Sequence, residues 1–100
     1  MGTEGRDVIF GTSGADVIVA LGGNDIIFGR GGDDVICAGD GNDHVFGGPG
    51  DDTIFGEEGR DFLFGESGDD DLYGGDDRDF CHGGWGDDTA SSCERGVWWW

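Results

Sequence analysis

An aspartate stands at every ninth residue through most of the chain: Asp7, Asp16, Asp25, Asp34, Asp43, Asp52, Asp61, Asp70, Asp79 and Asp88. Cut in nines from Gly2, the sequence reads GTEGRDVIF, GTSGADVIV, ALGGNDIIF, GRGGDDVIC, AGDGNDHVF, GGPGDDTIF, GEEGRDFLF, GESGDDDLY, GGDDRDFCH and GGWGDDTAS. Position six is aspartate in all ten blocks, and position four is glycine in all but one, where Asp77 stands. Position eight is Ile9, Ile18, Ile27, Ile36, Val45, Ile54, Leu63, Leu72, Cys81 and Ala90. No linker interrupts residues 2–91. A period this short and strict calls for one small unit stacked on itself, not for an irregular globular core.

The residue types within the period say what the unit is. Positions seven to nine are rich in Val, Ile, Phe and Thr, and each set reads as a three-residue strand. Glycines at positions one and four supply tight or left-handed turns between strands. Side chains alternate along a strand, so position eight points one way and positions seven and nine the other. A chain repeating turn and strand in this manner coils into an all-β solenoid with two parallel sheets. Two blocks make one coil, ten blocks make about five coils, and position eight lines a thin interior.

Composition raises the opposing problem. The 100 residues include 24 glycines, and 23 acidic side chains face 5 basic ones, for a formal net charge of −18. Such a balance belongs with disordered chains unless something neutralises it. It also argues against nucleic acid and anionic membranes, whose phosphates would be repelled. No apolar run approaches membrane-span length, and the opening MGTEGRDVIF has no charged-then-apolar signal pattern. Hard Ca²⁺ is suited to this chemistry, because it takes six to eight oxygens from carboxylates and carbonyls. The alternative is that the aspartates only cap turns.

The blocks resemble the nonapeptide of the RTX, or haemolysin-type, calcium-binding family, G-G-x-G-x-D-x-U-x, where U is a large apolar residue. GGPGDDTIF, from Gly47 to Phe55, matches every fixed position. Thr3, Thr12, Leu21, Arg30, Glu57 and Glu66 depart from it at position two, and Asp77 at position four. The resemblance implies a right-handed parallel β-roll in which the ten position-six aspartates and loop carbonyls hold calcium between coils. If blocks one coil apart share an ion, the roll takes up to about eight Ca²⁺, roughly +16, against the formal −18. It further implies a secreted, extracellular protein, since such rolls accompany toxins, proteases, lipases and epimerases exported by type I secretion.

The expected function is a non-catalytic accessory module that folds on binding Ca²⁺. An adhesive or protein-interaction module is the alternative. Its surface would be the outward face of the odd-numbered strands, where Phe10, Phe28, Phe46 and Phe64 should stack one per coil. A neighbouring domain or a second copy could cover that face. No zinc-protease helix, nucleophile elbow or phosphate-binding lysine motif is present, and the carboxylate pairs mark no unique cleft, so an enzyme is not expected. His44 and His82 lie far apart on the outward face.

Cys81 and Cys93 are expected to form a bridge that staples residues 92–100 against the end of the roll, while Cys37 faces outward and stays free. Continuing the nine-residue frame puts Trp98–Trp100 on a further strand beside Phe80–His82, as a cap, with Val97 in the aspartate position. The competing reading of these last residues is a frayed terminus.

Overall fold

A computed structural model of the chain describes residues 5–75, 79–84, 86, 88–91 and 95–97. Its strands are β1 (Val8–Phe10), β2 (Val17–Val19), β3 (Ile26–Phe28), β4 (Val35–Cys37), β5 (His44–Phe46), β6 (Thr53–Phe55), β7 (Phe62–Phe64), β8 (Asp71–Tyr73), β9 (Phe80–His82), β10 (Thr89–Ser91) and β11 (Arg95–Val97). The first ten are positions seven to nine of the ten blocks. Odd-numbered strands form one sheet in the order β1-β3-β5-β7-β9-β11, and even-numbered strands the other, β2-β4-β6-β8-β10. Every pairing is parallel. The fold is thus the all-β parallel roll that the repeat demands.

Register follows the period. Val8 pairs with Ile26, Ile9 with Ile27 and Phe10 with Phe28, and the same offset recurs up to β10. The ladder runs one residue past each strand end: Ile26 N–H donates to the Asp7 carbonyl at 2.9 Å, and Gly29 N–H to the Phe46 carbonyl at 2.8 Å. Strands of three residues would be too short to persist alone. Here each inner strand is bonded on both edges, so the backbone polar groups are satisfied by stacking.

The interior is one side chain thick. Ile18, Ile27, Ile36, Val45, Ile54, Leu63, Leu72 and Cys81, all position eight, are buried, together with Ala20 and Ala38. Ile9, on the end coil, is only partly covered. The molecule is accordingly a slab of 33 × 30 × 13 Å. Burial of eight such side chains, at about 2 kcal/mol each, is small for a chain of this length.

The glycines do different work from that expected. Position one does not adopt positive φ; from Leu21 onward, positions two and four of the described loops do, as at Gly48 (83°) and Gly50 (110°). Where position one is glycine there is no room for a side chain: a Cβ on Gly47 would lie 2.7 Å from the Asp52 Oδ2 and 3.0 Å from the Gly65 carbonyl oxygen. Four of the position-two departures keep the loop conformation that glycine has there. Leu21, Arg30, Glu57 and Glu66 take the left-handed conformation themselves, with φ of 71°, 70°, 69° and 71°. Asp77 lies outside the described residues.

The eleventh strand sits on the odd sheet beside β9, where a cap was expected, but it is made of different residues. Arg95, Gly96 and Val97 pair with Phe80, Cys81 and His82. The nine-residue frame had assigned that place to Trp98–Trp100, which lie outside the described residues. The frame fails here because SCE, residues 92–94, contains no glycine and no position-six aspartate, so nothing in it encodes the six-residue loop. Cys81 is disulfide-bonded; its expected partner, Cys93, lies outside the described residues. Cys37 is a half-buried free thiol.

Candidate metal centre

The position-six aspartates are part of the interior. Asp25, Asp34, Asp43, Asp52, Asp61, Asp70 and Asp79 are at most 1% exposed, and Asp88 9%. Asp7 and Asp16, on the end coil, are half-buried. Each loop turns its aspartate inward immediately before the strand, so carboxylates stack in register with the position-eight core.

Their two oxygens have separate roles. Oδ1 accepts a backbone N–H from the aspartate one coil earlier. Asp25 N–H donates to Asp43 Oδ1 at 2.7 Å, Asp34 to Asp52 at 2.8 Å, Asp43 to Asp61 at 2.9 Å, and Asp52 to Asp70 at 2.8 Å. Oδ2 of Asp25, Asp34, Asp43, Asp52, Asp61 and Asp70 is buried and accepts no hydrogen bond. An orphaned buried carboxylate oxygen is costly, and six in register far more so.

The electrostatics register that cost. Burial pushes the carboxyls of Asp52 and Asp70 up to about 8, against an ordinary value of 3.8. Asp43 and Asp61 are raised too, by burial foremost and then by the carboxylate one coil before, while the N–H on Oδ1 works the other way. Asp25 and Asp34 shift upward for the same reasons. Neutrality at these positions therefore needs either protons or a cation.

Backbone oxygens complete the surroundings. A Cβ on Gly29 would meet the Gly47 carbonyl oxygen at 2.8 Å as well as the Asp34 Oδ2 at 2.9 Å. A Cβ on Gly56 would meet the Gly74 carbonyl at 2.8 Å and the Asp61 Oδ2 at 2.7 Å. Position-four glycines such as Gly50 and Gly68 face the carbonyls of Gly32 and Gly50, one coil earlier. The donors are thus all oxygens, part anionic and part neutral, as a hard divalent cation requires. Among the described residues, no three His, Cys, Asp or Glu side chains converge as a metal-ligating group. Any ion held here would rely on carboxylates and main-chain carbonyls together.

A second ladder, at position five, was not anticipated. Asp33 Oδ1 accepts the Asp51 N–H at 2.8 Å, and Asp51 Oδ1 the Asp69 N–H at 2.8 Å. On the opposite edge, Asn24 Oδ1 accepts from Asn42 at 2.8 Å, and Asn42 Oδ1 from Arg60 at 2.9 Å. The recurrence of Asn or Asp at this position was the available signal. At the first coil, Thr12 takes over for the missing neighbour. Its N–H donates to Asp16 Oδ2 at 2.7 Å, and its hydroxyl lies 3.0 Å from Asp16 Oδ1.

The aromatic ladder is present. Phe10, Phe28, Phe46 and Phe64 stack with ring centroids 5.1, 5.1 and 5.2 Å apart. His44 tilts against Phe62, whereas His82 lies by Phe64, so the two histidines form no shared site.

The family model described as the RTX calcium-binding nonapeptide repeat (4 copies) matches residues 1–36, 38–72 and 55–90. The chain belongs to the RTX calcium-binding nonapeptide repeat family. Comparison with curated proteins and with solved structures found no significant match. The family binds calcium, and the stacked, buried aspartates of this chain fit that chemistry. No helix among the described residues is long and apolar enough to cross a membrane.

Proposed function

We propose that the chain is a non-catalytic module of a secreted protein that folds when it binds calcium, with the ten position-six aspartates as ligands. One observation carries the reading. Six buried Oδ2 atoms in register accept no hydrogen bond, in a chain whose hydrophobic interior is a single side chain thick. Apolar burial this thin does not offset a column of desolvated carboxylates. Calcium supplies positive charge and accepts oxygen ligands at low directional cost. The chain's own part is to hold Oδ1 in the backbone ladder, aim Oδ2 inward, and keep the residue at position one small, glycine or alanine. Sharing between adjacent coils gives up to about eight ions. Repetition of the same carboxylate arrangement in every coil, with none singled out, supports the non-catalytic role.

Folding coupled to calcium suits export, since a chain unfolded at low calcium would fold outside. Far-ultraviolet circular dichroism through a calcium titration tests the coupling. A disordered spectrum in chelator should give way cooperatively to a β-rich one at millimolar-range calcium, with magnesium a poor substitute.

The odd face supports a second, compatible reading as an interaction surface, because Phe10, Phe62 and Ile26 are 63%, 41% and 37% exposed. Sedimentation with and without calcium separates the two: a pure folding module compacts as a monomer, and an interaction module also associates.

A further inference from the structure

The six-residue loops form two rows along opposite edges of the roll, and the rows are not alike. The even row precedes β4, β6 and β8 and comprises residues 29–34, 47–52 and 65–70. The odd row precedes β3, β5 and β7 and comprises residues 20–25, 38–43 and 56–61. Both rows carry buried aspartates with an orphaned Oδ2. They differ in the space beside that oxygen and in the charge next to it.

Space differs at position one. In the even row it is Gly29, Gly47 and Gly65, where a Cβ would stand 2.9, 2.7 and 2.5 Å from the Oδ2 of Asp34, Asp52 and Asp70. Carbon does not approach a carboxylate oxygen so closely, so glycine keeps that volume open. In the odd row Gly56 repeats the arrangement beside Asp61, but the other two residues are Ala20 and Ala38, both 0% exposed. Asp25 and Asp43 therefore share their surroundings with a buried methyl group.

Charge differs at position five. The even row has Asp33, Asp51 and Asp69, and the odd row Asn24, Asn42 and Arg60. Asp51 and Asn42 do the same mechanical work, each accepting a backbone N–H from the next coil through Oδ1. Charge is thus free to vary while the ladder stays intact. At the other loop positions Asp40, Glu57 and Glu58 add negative charge to the odd row, while the even row has Glu66 against Arg30; all five side chains are exposed.

We propose that the rows are two classes of calcium site. The even row, at Asp34, Asp52 and Asp70, holds the ion tightly, and the odd row, at Asp25, Asp43 and Asp61, holds it weakly. Ligand charge and free space set calcium affinity in oxygen sites, and both favour the even row. Loading of the even row drives the cooperative folding, and the odd row fills at higher calcium, so occupancy is graded although folding is not. This inference rests on the calcium reading given above.

Nuclear magnetic resonance of the position-four glycine amides resolves the rows in the full chain. Gly32, Gly50 and Gly68 report the even row; Gly23, Gly41 and Gly59 report the odd. In a calcium titration the even-row amides should reach half-change at roughly threefold to tenfold less calcium. The pair Ala38→Gly with Asn42→Asp gives one odd loop the even-row features and should draw the Gly41 midpoint toward that of Gly50. Asp51→Asn keeps the Oδ1 acceptor and should raise the midpoints of Gly50 and Gly68. A common midpoint for both rows, unmoved by either variant, overturns the proposal and leaves the calcium reading standing. No calcium-dependent change at any of these glycines overturns both.

Discussion

The backbone N–H of Asp52 donates to Oδ1 of Asp70, 2.8 Å away and eighteen residues further along the chain. That bond ties the loop of one coil to the carboxylate of the next, while Oδ2 of the same Asp70 accepts none. One oxygen therefore serves the fold, and the other is the one that the proposed calcium reading assigns to the cation. An aspartate that merely capped its own turn would bond within its own loop.

Separating the two oxygens gives a first prediction. Asp52→Asn keeps an Oδ1 acceptor for Asp34 N–H and removes the charge from the buried site. In chelator the variant should fold more readily than the parent, since one desolvated carboxylate is gone. In calcium it should need more ion to reach the folded state. Circular dichroism midpoints under both conditions check this. Unchanged midpoints in both would mean that Asp52 is a turn residue only.

Acid should replace calcium in part. The carboxyls of Asp52 and Asp70 titrate near 8 in the folded chain because burial disfavours their charge, against 3.8 as the ordinary value. A raised folded pKa means that folding takes up protons. The contribution to stability is fully present below about pH 4 and is lost as pH rises through about 8. The calcium-free chain should gain β structure on acidification and lose it toward neutrality. Calcium competes with those protons, so its midpoint should fall as pH rises from 5 to 8. Ellipticity against pH, in chelator and at fixed calcium, reads both trends.

Glu57 and Glu66 hold left-handed backbone at φ 69° and 71°. Non-glycine residues pay about 1–2 kcal/mol for that conformation. Glu57→Gly and Glu66→Gly should each stabilise the calcium-loaded roll by about 1 kcal/mol in urea unfolding. Gly48→Ala tests the reverse. It combines positive φ with a Cβ 2.5 Å from the Arg30 carbonyl oxygen, and should destabilise by more.

The end of the roll gives the next prediction. β11 covers the outer edge of β9 through Arg95–Val97. Deleting residues 95–100 should raise the calcium needed for folding, because the β9 edge is left bare. Deleting only Trp98–Trp100 should cost less. An equal effect of the two deletions would locate the cap in the tryptophans instead.

The repeat made the strands, their pairing and the core legible, because position eight and the period of nine admit one arrangement. Ile27, Ile54 and Leu63 were placed inside from alternation alone. The aspartates were legible as a column, yet not the division of labour between Oδ1 and Oδ2, which depends on a neighbour eighteen residues away. Gly47 was read as a turn residue and is instead a vacancy beside Asp52; sequence records the absence of a side chain but not the reason for it. The ladder through Asn24, Asn42, Asp33 and Asp51 was overlooked because Asn and Asp alternate there with Arg and Ala. β11 was misplaced by three residues because the frame was extended past the last block that encodes it.

Amide hydrogen exchange at Ile54 and Leu63 tests the central claim most directly. Their N–H groups lie in β6 and β7 at the centre of the roll, where protection reports global folding. With calcium, both should be strongly protected; in chelator at neutral pH, both should exchange as fast as in an unstructured chain. Equal strong protection with and without calcium would contradict the account.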